Sequence, residues 1–348
     1  FWDAWQMIQK SYLRAGEVKN KDMIYGATEG LVRALGDPYS VFMNPGEAKR
    51  FSEDINGNFG GIGAEIGIKN EQIVVIAPLK NSPAEKSGLI SGDKIYEINA
   101  SSTVNMTINE AVKKIRGPKG TTVTFLIGRT GHEKPITIKI VRDTITIPVV
   151  EWTMKEGAIA HIQFFTFSEN STELVRTAIE ETKRAGAKGI ILDMRNNPGG
   201  YLDAAVTIAS YFMDPNTTVV FEEFRNGKRD TFLSHGTPIA KGIPLVILLN
   251  GGSASASEIL AGALKYILGT QIIGEKSFGK GTVQELTELR GGAEIKLTIA
   301  HWILPKGTQI DKNGIVPDIT VKFTDADREK KRDPQLMKAL EVIKTKIQ

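Results

Sequence analysis

The sequence predicts a multidomain α+β protein with a helical N-terminal arm, a β-rich insert, an α/β core and a C-terminal helix. Three observations predict this organisation. Apolar residues recur at helical spacing near both ends of the chain, and residues 56–143 form short β-type runs that Gly and Pro separate. After residue 149, amphipathic helical patterns alternate with short apolar runs that are typical of buried strands.

The composition is ordinary for a globular chain of 348 residues, with 41% hydrophobic and 24% charged residues, and the length allows two or three domains. No apolar run approaches the roughly 20 residues that a membrane span needs. Although the net charge is +4, Lys and Arg are scattered among nearly as many Asp and Glu. A nucleic-acid binder usually gathers its positive charge into a stripe, so we expect no nucleic-acid partner.

The chain contains no cysteine and four histidines. The lack of cysteine excludes disulfides, thiolate nucleophiles and Cys-ligated metal sites. The histidines lie far apart in the sequence and match no metal-binding spacing such as HExxH. We therefore expect neither a metal ion nor a cofactor.

Helices are predicted for the N-terminal arm. Apolar side chains recur at helical spacing at positions 2, 5, 8 and 12 and again at positions 24, 27, 31 and 35. The sequence Gly36-Asp37-Pro38 ends the second helix, and the charged segment Gly46–Asp54 predicts a further short helix. These apolar stripes exceed what a lone domain is expected to cover, so we expect a homodimer. Packing onto the protein's own core is the alternative.

The β-rich insert contains short apolar runs with one helical stretch between them. The predicted strands are Ile73–Ile76, Lys94–Ile98, Thr122–Ile127 and Ile136–Val141, and the predicted helix is Ile108–Ile115. Gly and Pro punctuate these runs, which separates the insert from the sequence on either side of it.

The core alternates helical and strand patterns. The predicted helices are Ser171–Arg184, Leu202–Phe212 and Ala256–Leu268, and the predicted buried strands are Gly189–Leu192, Pro244–Leu249 and Gln271–Ile273. Two further β runs, Val283–Leu289 and Ala293–Thr298, precede a final charged helix, Asp333–Ile347. This final helix also carries an apolar stripe, and we expect it to take part in the homodimer.

A glycine-rich loop precedes a predicted strand at the start of the insert, with the sequence Gly60-Gly61-Ile62-Gly63-Ala64. Such a loop can direct several backbone N–H groups at one anion, and the strand after it can accept a peptide as an additional strand. The loop lacks the GxGxxG spacing and no helix follows it, so a dinucleotide site is not predicted. A tight turn without a ligand is the alternative.

A serine-rich segment follows the strand Pro244–Leu249 and leads into the helix Ala256–Leu268. At such a junction a side chain projects from a tight bend, and the helix N-terminus supplies free N–H groups and the positive end of its dipole. The segment contains Ser253, Ser255 and Ser257. Serine is also a common helix cap, and both roles can coexist, with Ser257 as the cap and Ser255 as the reactive residue.

A serine hydroxyl becomes a good nucleophile only when a base removes its proton. No histidine has an obvious claim to this role, whereas Lys280 lies between Gly279 and Gly281 just after the strand Gln271–Ile273. A lysine acts as a base near neutral pH only if its pKa falls well below the usual value of about 10.4, and burial lowers the pKa of lysine in this direction. Ser–Lys chemistry is therefore physically reasonable.

The same lysine lies in a near match to the phosphate-binding pattern GxxxxGK[ST], from Gly274 to Gly281. However, Gly281 occupies the position of the Ser or Thr that binds Mg²⁺. The residues that follow, Val283–Leu289, predict a strand where a phosphate loop must open a helix. The sequence therefore argues against nucleotide binding.

At this point the motifs resemble those of the carboxy-terminal processing peptidases, the tail-specific proteases of serine peptidase family S41. The likeness covers nearly the whole chain. Its marks are GDPYS at 36–40, SPAEKSGL and GDKI between 82 and 95, DMRNNPGG at 193–200, SASASE at 253–258, FGKGTVQ at 278–284 and NGIVPDI at 313–319. Each motif is weak by itself, but in this order the set is highly specific.

The resemblance implies a crotonase-like or ClpP-like α/β protease core with an inserted PDZ domain. It places the nucleophile at Ser255 and the general base at Lys280, and it implies that the Gln284 amide orients the lysine. Spacing alone does not distinguish Ser255 from the two neighbouring serines. Gln284 would orient the amine without a charge that raises the pKa of the lysine.

The family pattern also implies an oxyanion hole. Backbone N–H groups near Gly199 or Gly200, together with that of Ala256, are expected to stabilise the negative oxygen that forms when the serine attacks a carbonyl. The expected reaction is acyl transfer through an acyl-enzyme that water hydrolyses.

The PDZ resemblance implies that N–H groups around Gly61 to Gly63 hold the C-terminal carboxylate of a peptide or protein substrate. The PDZ domain is then expected to recruit substrate C-termini and to gate the active site. We further hypothesise that Arg116 couples peptide binding to alignment of the core. The alternative for Arg116 is a surface arginine at a helix end.

Two rival functions remain open from the sequence. One is a non-catalytic PDZ adaptor built on a protease-like core. The other is a serine hydrolase of the histidine type that uses His301 and acts on esters or small peptides. Replacement of His301 compared with replacement of Lys280 separates the second rival from the Ser–Lys hypothesis.

The expected domains are an N-terminal arm at 1–55, a PDZ domain at 56–143, a protease core at 144–328 and a C-terminal helix at 329–348. Because the chain opens at Phe1 rather than at methionine, we expect a signal or anchor segment upstream of it. The family resemblance alone implies export to an extracytoplasmic space and processing or signalling proteolysis of exported or membrane-associated proteins.

Overall fold

The computed structural model of the chain describes residues 1–55, 58–69, 71–79, 81–90, 92–146, 148–311, 313–324, 326, 327, 330 and 332–347. The chain divides into two compact units. The first, which we call the core unit, is formed by Phe1–Ser52 and Val149–Gln348, and the second, the insert unit, is formed by Glu53–Pro148. In the described part of the chain, no helix has both the length and the apolar character needed to cross a membrane.

The helices are, in chain order, α1 (Trp2–Ser11), α2 (Asn20–Arg33), α3 (Pro45–Ile55), α4 (Pro83–Lys86), α5 (Ile108–Ile115), α6 (Ser171–Arg184), α7 (Leu202–Ser210), α8 (Ala256–Leu268) and α9 (Pro334–Ile347). The strands of the insert unit are β2 (Asn58–Gly61), β3 (Ala64–Lys69), β4 (Gln72–Pro78), β5 (Lys94–Ile98), β6 (Ser101–Ser102), β7 (Thr122–Gly128), β8 (Ile136–Val141) and β9 (Asp143–Thr146). Those of the core unit are β1 (Val41–Met43), β10 (Val150–Lys155), β11 (Ile159–Phe164), β12 (Gly189–Asp193), β13 (Thr218–Phe224), β14 (Arg229–Leu233), β15 (Leu245–Leu249), β16 (Gln271–Gly274), β17 (Thr282–Glu288), β18 (Glu294–Ile303) and β19 (Ile319–Thr320).

The main sheet of the core unit has the strand order β10-β11-β12-β15-β16-β19, and all of its pairs are parallel except β10 with β11. Helices cover both of its faces, so its central strands are apolar along their whole length. Leu245, Ile247 and Leu249 belong to the core cluster shared with α6, α7 and α8. Val246 and Leu248 face the other way and pack with residues of α9.

The carboxyl ends of the parallel strands carry the loops of interest. One loop follows β12 and contains Gly199 and Gly200, a second joins β15 to α8 and contains Ser255, and a third follows β16 and contains Lys280. Because parallel strands end at the same edge of a sheet, the fold gathers these three loops from distant parts of the sequence.

A second, antiparallel sheet of the core unit follows the lysine loop. Its order is β1-β18-β13-β14, and β17 also pairs with β18. In that pairing Gln284 lies opposite Thr298, and Leu286 lies opposite Lys296. The sheet therefore connects the residues after Lys280 to β18 and, through β1, to the segment Gly36–Ser40.

The insert unit contains a sheet of order β3-β4-β5-β7-β8, with β6 paired to β5 and a separate β2–β9 pair. Its core is formed by apolar residues of these strands together with Ala111 and Ile115 of α5. Thr107 caps α5 in a reciprocal arrangement with Glu110, which explains why this helix begins at the residue that the sequence predicted.

Candidate active site

The bend between β15 and α8 holds Ser255 in a strained backbone conformation, with φ 55° and ψ −118°. Residues other than glycine rarely adopt positive φ, and such strain is common where a side chain must be exposed on a tight turn. The neighbours of Ser255 fix the bend, because Ala254 N donates to Asn197 O at 3.0 Å and Ser253 N donates to Asn250 O at 2.9 Å.

The three serines of this bend differ in their surroundings. Ser253 and Ser257 are fully buried. Ser253 Oγ donates to Met194 O at 2.8 Å, and Ser257 Oγ donates to Asn197 O at 3.0 Å. Ser255 is partly exposed, and no described residue accepts a hydrogen bond from its hydroxyl. Of the three hydroxyls, only that of Ser255 does not donate a hydrogen bond to a carbonyl of the described residues.

Glu258, in the first turn of α8, connects the serine bend to the lysine loop. Its Oε2 accepts hydrogen bonds from Ser255 N at 2.8 Å and Lys280 N at 3.0 Å. Its Oε1 accepts from Gly279 N at 2.7 Å and from Ser277 Oγ at 2.5 Å. Burial raises the pKa of Glu258 in spite of these four hydrogen bonds. One buried carboxyl group thus fixes the backbones of Ser255 and Lys280 relative to each other.

In the sequence, Glu258 stands out only as part of the motif SASASE at 253–258, which does not predict this role. A signal was present, because the pattern Ser-x-x-Glu that starts at Ser255 is the pattern of a helix capping box. The pattern explains the bond from Glu258 to the Ser255 backbone. It gives no indication of the bonds to the lysine loop, which come from residues 19 to 22 positions away.

The amine of Lys280 is partly buried and lies 5.4 Å from the centroid of the Tyr39 ring. Burial lowers the pKa of Lys280, and the positive charge of Lys296 lowers it further, whereas Glu258 and Asp37 act in the opposite direction. In the described part of the chain, Lys280 forms no ion pair, and no hydrogen bond joins its amine to Ser255. The side chains of the serine and the lysine belong to one site without being hydrogen-bonded.

Gln284 is oriented by two hydroxyl groups. Its Nε2 donates to Thr282 Oγ1 at 2.8 Å and to Thr298 Oγ1 at 3.3 Å. Both bonds use the amide nitrogen, so the carbonyl oxygen is available to accept a hydrogen bond from an amine.

The turn at Gly199 and Gly200 packs directly against the serine bend. Gly199 has φ 95°, and a Cβ atom at this residue would lie 2.9 Å from Ser255 Cβ and 2.9 Å from Ala256 N. The Gly199 N–H donates to Asn197 Oδ1 at 2.9 Å. The N–H groups of Gly200 and Ala256 have no acceptor among the described residues, and that of Ala256 is free because it begins a helix.

A buried charge network supports the loop that leads to these glycines. Asp193 Oδ2 lies 3.0 Å from His161 Nε2, and Asp193 also accepts hydrogen bonds from the Arg195 backbone and guanidinium. Although burial acts to raise it, hydrogen bonds from His161 and Arg195 lower the pKa of Asp193. Arg195 continues the network to Asp333, just before α9.

The histidines have no direct connection to Ser255 in the described structure. His301 is exposed on β18, opposite Thr282. His161 is buried and its Nε2 is engaged by Asp193. Among the described residues, neither histidine forms a hydrogen bond with Ser255, so the geometry gives no support to the histidine-type hydrolase.

The glycine-rich loop of the insert unit combines paired and unpaired backbone groups. Gly60 and Gly61 belong to β2 and pair with β9. Ile62 O accepts a hydrogen bond from Ala84 N, and Gly63 O accepts one from Leu79 N. The N–H groups of Ile62 and Gly63 have no acceptor among the described residues.

These free N–H groups precede Ala64, the first residue of β3. β3 is the terminal strand in its sheet order, and α5 packs beside it. An unpaired strand edge and two free N–H groups therefore lie together. This is the arrangement that strand addition by an extended peptide with a free carboxylate requires.

Arg116 ends α5, and its guanidinium carbon lies 4.0 Å from the centroid of the Phe59 ring on β2. Both residues belong to the insert unit. This contact places Arg116 next to the strand that leads into the glycine-rich loop, and its coupling role stays a prediction.

The sequence matches three known protein families in succession. Residues 1–46 match the N-terminal domain of the activating protease CtpB, residues 52–128 match the PDZ domain, and residues 158–321 match peptidase family S41. The matches to PDZ and S41 cover the glycine-rich loop, the serine bend and the lysine loop described above.

Several named proteases are similar to the chain. The carboxy-terminal processing proteases CtpA and CtpB of Bacillus subtilis are each 38% identical to the chain, over 92% of its length and 68% and 67% of theirs. The carboxy-terminal-processing protease of Bartonella bacilliformis is 36% identical, over 92% of the chain and 74% of its own length. The solved structure of the photosystem II D1 C-terminal processing protease aligns with a TM-score of 0.61 at 29% identity, over 92% of this chain and 87% of that one. The chain therefore belongs to peptidase family S41 and is a carboxy-terminal processing serine protease with a PDZ domain.

Proposed function

We propose that the protein is a serine endopeptidase in which Ser255 is the nucleophile and Lys280 is the general base. The observation that carries the proposal is the difference among the serines of the bend. Ser253 and Ser257 donate their hydroxyl protons to buried carbonyls, whereas no described residue accepts the proton of Ser255. A hydroxyl free of such a bond is ready to give its proton to a base.

In the proposed mechanism, the neutral amine of Lys280 takes the proton of Ser255 as the serine oxygen attacks a peptide carbonyl. Lys280 then returns this proton to the departing amine of the substrate, which leaves an acyl-enzyme. Water, deprotonated by Lys280, hydrolyses the ester and releases the new C-terminus. Burial favours the neutral form of Lys280 that the first step requires.

We assign supporting roles to three further residues. Gln284, held by Thr282 and Thr298, accepts a hydrogen bond from the amine and directs it towards Ser255. The N–H groups of Gly200 and Ala256 stabilise the oxyanion, because both are free of other described acceptors. Gly199 N–H is engaged by Asn197. Its role in this proposal is to leave room beside Ser255.

We propose that the PDZ domain recognises the C-terminal end of a substrate. The carboxylate accepts hydrogen bonds from Ile62 and Gly63, and the preceding residues add as a strand to β3. This assignment is supported by the two unpaired N–H groups and by the position of β3 at the end of its sheet. Gly60, Gly61 and Ala64 shape the loop.

We further propose that peptide binding gates the active site. Ser255 and Lys280 are not hydrogen-bonded in the described structure, so the reaction needs a local rearrangement that brings the hydroxyl and the amine together. Catalytic hydrogen bonds are often long before substrate binds and tighten in the complex. Coupling through Arg116 belongs to this proposal.

We propose that the protein forms a homodimer through its N-terminal arm, residues 1–55. No residue of α1 is buried within the chain, and large apolar side chains of the arm, such as Trp2 and Leu13, are exposed. The apolar face of α9 packs onto the core sheet instead, through Ala339 and Ile343. Of the two segments expected to dimerise, the arm is therefore the better supported.

We also propose, from family membership alone, that the protein works in an extracytoplasmic space. Its substrates there are exported or membrane-associated proteins, which it processes from their C-terminal ends.

The test of the proposed function is cleavage of an unstructured protein with an apolar C-terminus. We expect the parent chain to cut this substrate, and we expect folded Ser255→Ala and Lys280→Ala variants to lose activity by at least about a thousandfold. Lys276→Ala serves as the matched control, since Lys276 is an exposed lysine of the same loop. Substrate with an amidated C-terminus tests terminus recognition, and we expect it to be cut more slowly.

Full activity of Lys280→Ala would contradict the assigned base. A parent chain that binds the C-terminus of the substrate but never cuts it would favour the adaptor function. Equal cleavage of amidated and free substrates would contradict recognition of the carboxylate while leaving the Ser–Lys assignment intact.

A further inference from the structure

A second half-buried lysine, Lys296, lies on β18, which pairs with β17, the strand that follows the proposed base. It is two residues from Thr298, which accepts a hydrogen bond from Gln284. Because alternate residues of a strand point to the same face, Lys296 and Thr298 share one face of β18. The strand pairing places Lys296 opposite Leu286, two residues after Gln284. Lys296 therefore lies on the side of the sheet that carries the lysine-orienting amide.

The two lysines have similar and unusual surroundings. Lys280 Nζ lies 5.4 Å from the centroid of the Tyr39 ring, and Lys296 Nζ lies 4.9 Å from the centroid of the Phe51 ring. Within the described part of the chain, neither amine forms an ion pair with a carboxylate. Aromatic faces stabilise a cation only modestly, so two half-buried amines without carboxylate partners repel each other when both are protonated.

We propose that Lys296 is a positioning residue that acts on Lys280 through its charge. The ammonium group of Lys296, held against Phe51, disfavours protonation of the Lys280 amine and so favours the neutral form that can accept a proton from Ser255. This inference rests on the proposed function of Lys280. In this role Lys296 need not contact the substrate or transfer a proton.

The carboxylates around Lys280 favour its protonated form, so a nearby positive charge is needed to offset them. Glu258 approaches from α8 and Asp37 from the loop before β1, and both favour the protonated amine. Asp37 accepts hydrogen bonds from Ser40 Oγ and Tyr39 N, and these bonds lower the pKa of Asp37 even though burial acts to raise it. Asp37 is thus a negative charge at neutral pH, and Lys296 offsets its effect on Lys280.

Burial acts on both amines. It lowers the pKa of Lys280 and of Lys296, and the effect on Lys280 is increased by the charge of Lys296. Asp37 also acts on Lys296, in the direction that favours its protonated form. The negative charge of Asp37 therefore partly offsets the effect of burial on Lys296.

The test measures the pH dependence of kcat/KM for the parent chain, Lys296→Met and Lys296→Arg. Methionine keeps an apolar stem without the charge, and arginine keeps the charge. We expect Lys296→Met to move the acid limb of the profile to higher pH, because Lys280 then holds its proton more firmly. The expected loss is on the order of tenfold in kcat/KM at about pH 7, with recovery at alkaline pH. Lys296→Arg should keep the position of the limb.

A second readout needs no catalysis. In a Ser255→Ala background, an amine-reactive acyl reagent modifies Lys280 only when its amine is neutral, and mass spectrometry measures the extent of labelling at each pH. We expect Lys296→Met to move the labelling midpoint of Lys280 to higher pH. Lys276, exposed in the same loop, provides the internal reference, and Lys228→Met is the control variant because its amine also lies over an aromatic ring, that of Phe224.

A uniform loss of activity at every pH, with an unchanged labelling midpoint, would show that Lys296 only supports the fold and would overturn the proposal. An unchanged profile would overturn it as well. Lys296→Gln supplies a second neutral variant if Lys296→Met does not fold. Failure of the proposed function is recognised separately, since Lys280→Ala would then stay active whatever Lys296 does to the labelling midpoint.

Discussion

Glu258 shows, at the scale of single residues, how one buried group can position two others. Its two carboxyl oxygens accept hydrogen bonds from the backbones of Ser255 and Lys280 and from two neighbouring residues of the lysine loop. A buried donor that loses its acceptor carries the full desolvation penalty. The relative placement of the proposed nucleophile and base therefore depends on a side chain that takes no part in the proposed chemistry.

Replacement of Glu258 should consequently affect both stability and activity. We expect Glu258→Ala to lower the free energy of unfolding by at least about 3 kcal/mol, because it leaves several buried donors without an acceptor. Activity should fall below detection, and Glu258→Gln, which retains one accepting oxygen, should give intermediate values for both. Urea unfolding and peptide cleavage measure these effects, with exposed Glu285→Ala as the control. Parent-like cleavage by Glu258→Ala would contradict the positioning role.

Gly281 illustrates what the sequence could not explain by itself. The sequence argued against nucleotide binding partly because Gly281 replaces the Ser or Thr of a phosphate loop. The structure supplies the physical reason for glycine, since a Cβ atom at this position would lie 2.0 Å from Asp311 N. The close approach of a backbone segment 30 residues away, which no local pattern records, requires glycine beside Lys280.

At the scale of elements, α9 is anchored by the charge network of Asp193 and Arg195, which supports the loop that follows β12 and contains Gly199 and Gly200. Asp333 accepts two hydrogen bonds from Arg195 and also accepts one from Leu336 N, so it both pairs with the arginine and caps the helix. Arg195 lies four residues before Gly199 in the loop that follows β12. The same residue thus connects the last helix to the loop that packs against Ser255.

Loss of this anchor should loosen α9 before it affects the rest of the fold. We expect Asp333→Ala to lower the free energy of unfolding by about 2 kcal/mol, from the lost cap and the lost bidentate pair. Amide hydrogen exchange should quicken in α9 more than in β12. Asp214→Ala, which removes an exposed pair with Lys241, is the control and should change little. Unchanged exchange in α9 would show that packing alone holds the helix.

Local patterns predicted several elements well. The structure confirms the predicted bounds of β5, α5, α6, β8 and α8. These elements have strong local signals, such as the Thr107–Glu110 capping box that begins α5 and the amphipathic spacing within α6.

Other strands, among them β10, β11, β13 and β14, are not predicted from the sequence. Their strand character depends on partners that are distant along the chain, such as the pairing of β13 with β18. A short apolar run also gives no periodic signal that distinguishes a buried strand from other buried segments.

At the scale of the whole molecule, the exposed apolar surface of the arm predicts association. We expect the parent chain to be a dimer at micromolar concentration and the double variant Trp2→Gln and Leu13→Gln to be a folded monomer, because these side chains are exposed and contribute no burial within the chain. Sedimentation velocity measures the change, with Leu174→Gln as the control for an exposed apolar residue elsewhere. A monomeric parent, or a variant that remains dimeric, would contradict dimerisation through α1.

The sequence by itself determined the family, the fold class and the candidate residues, because these depend on residue types and on their order along the chain. It could not determine which of three serines has a free hydroxyl, which carboxylate connects the serine bend to the lysine loop, or that Lys296 shares a face of the sheet with Gln284. Those properties arise where β12, β15, β16 and β18 bring distant segments together. Burial and charge act through space, so only the tertiary structure decided them.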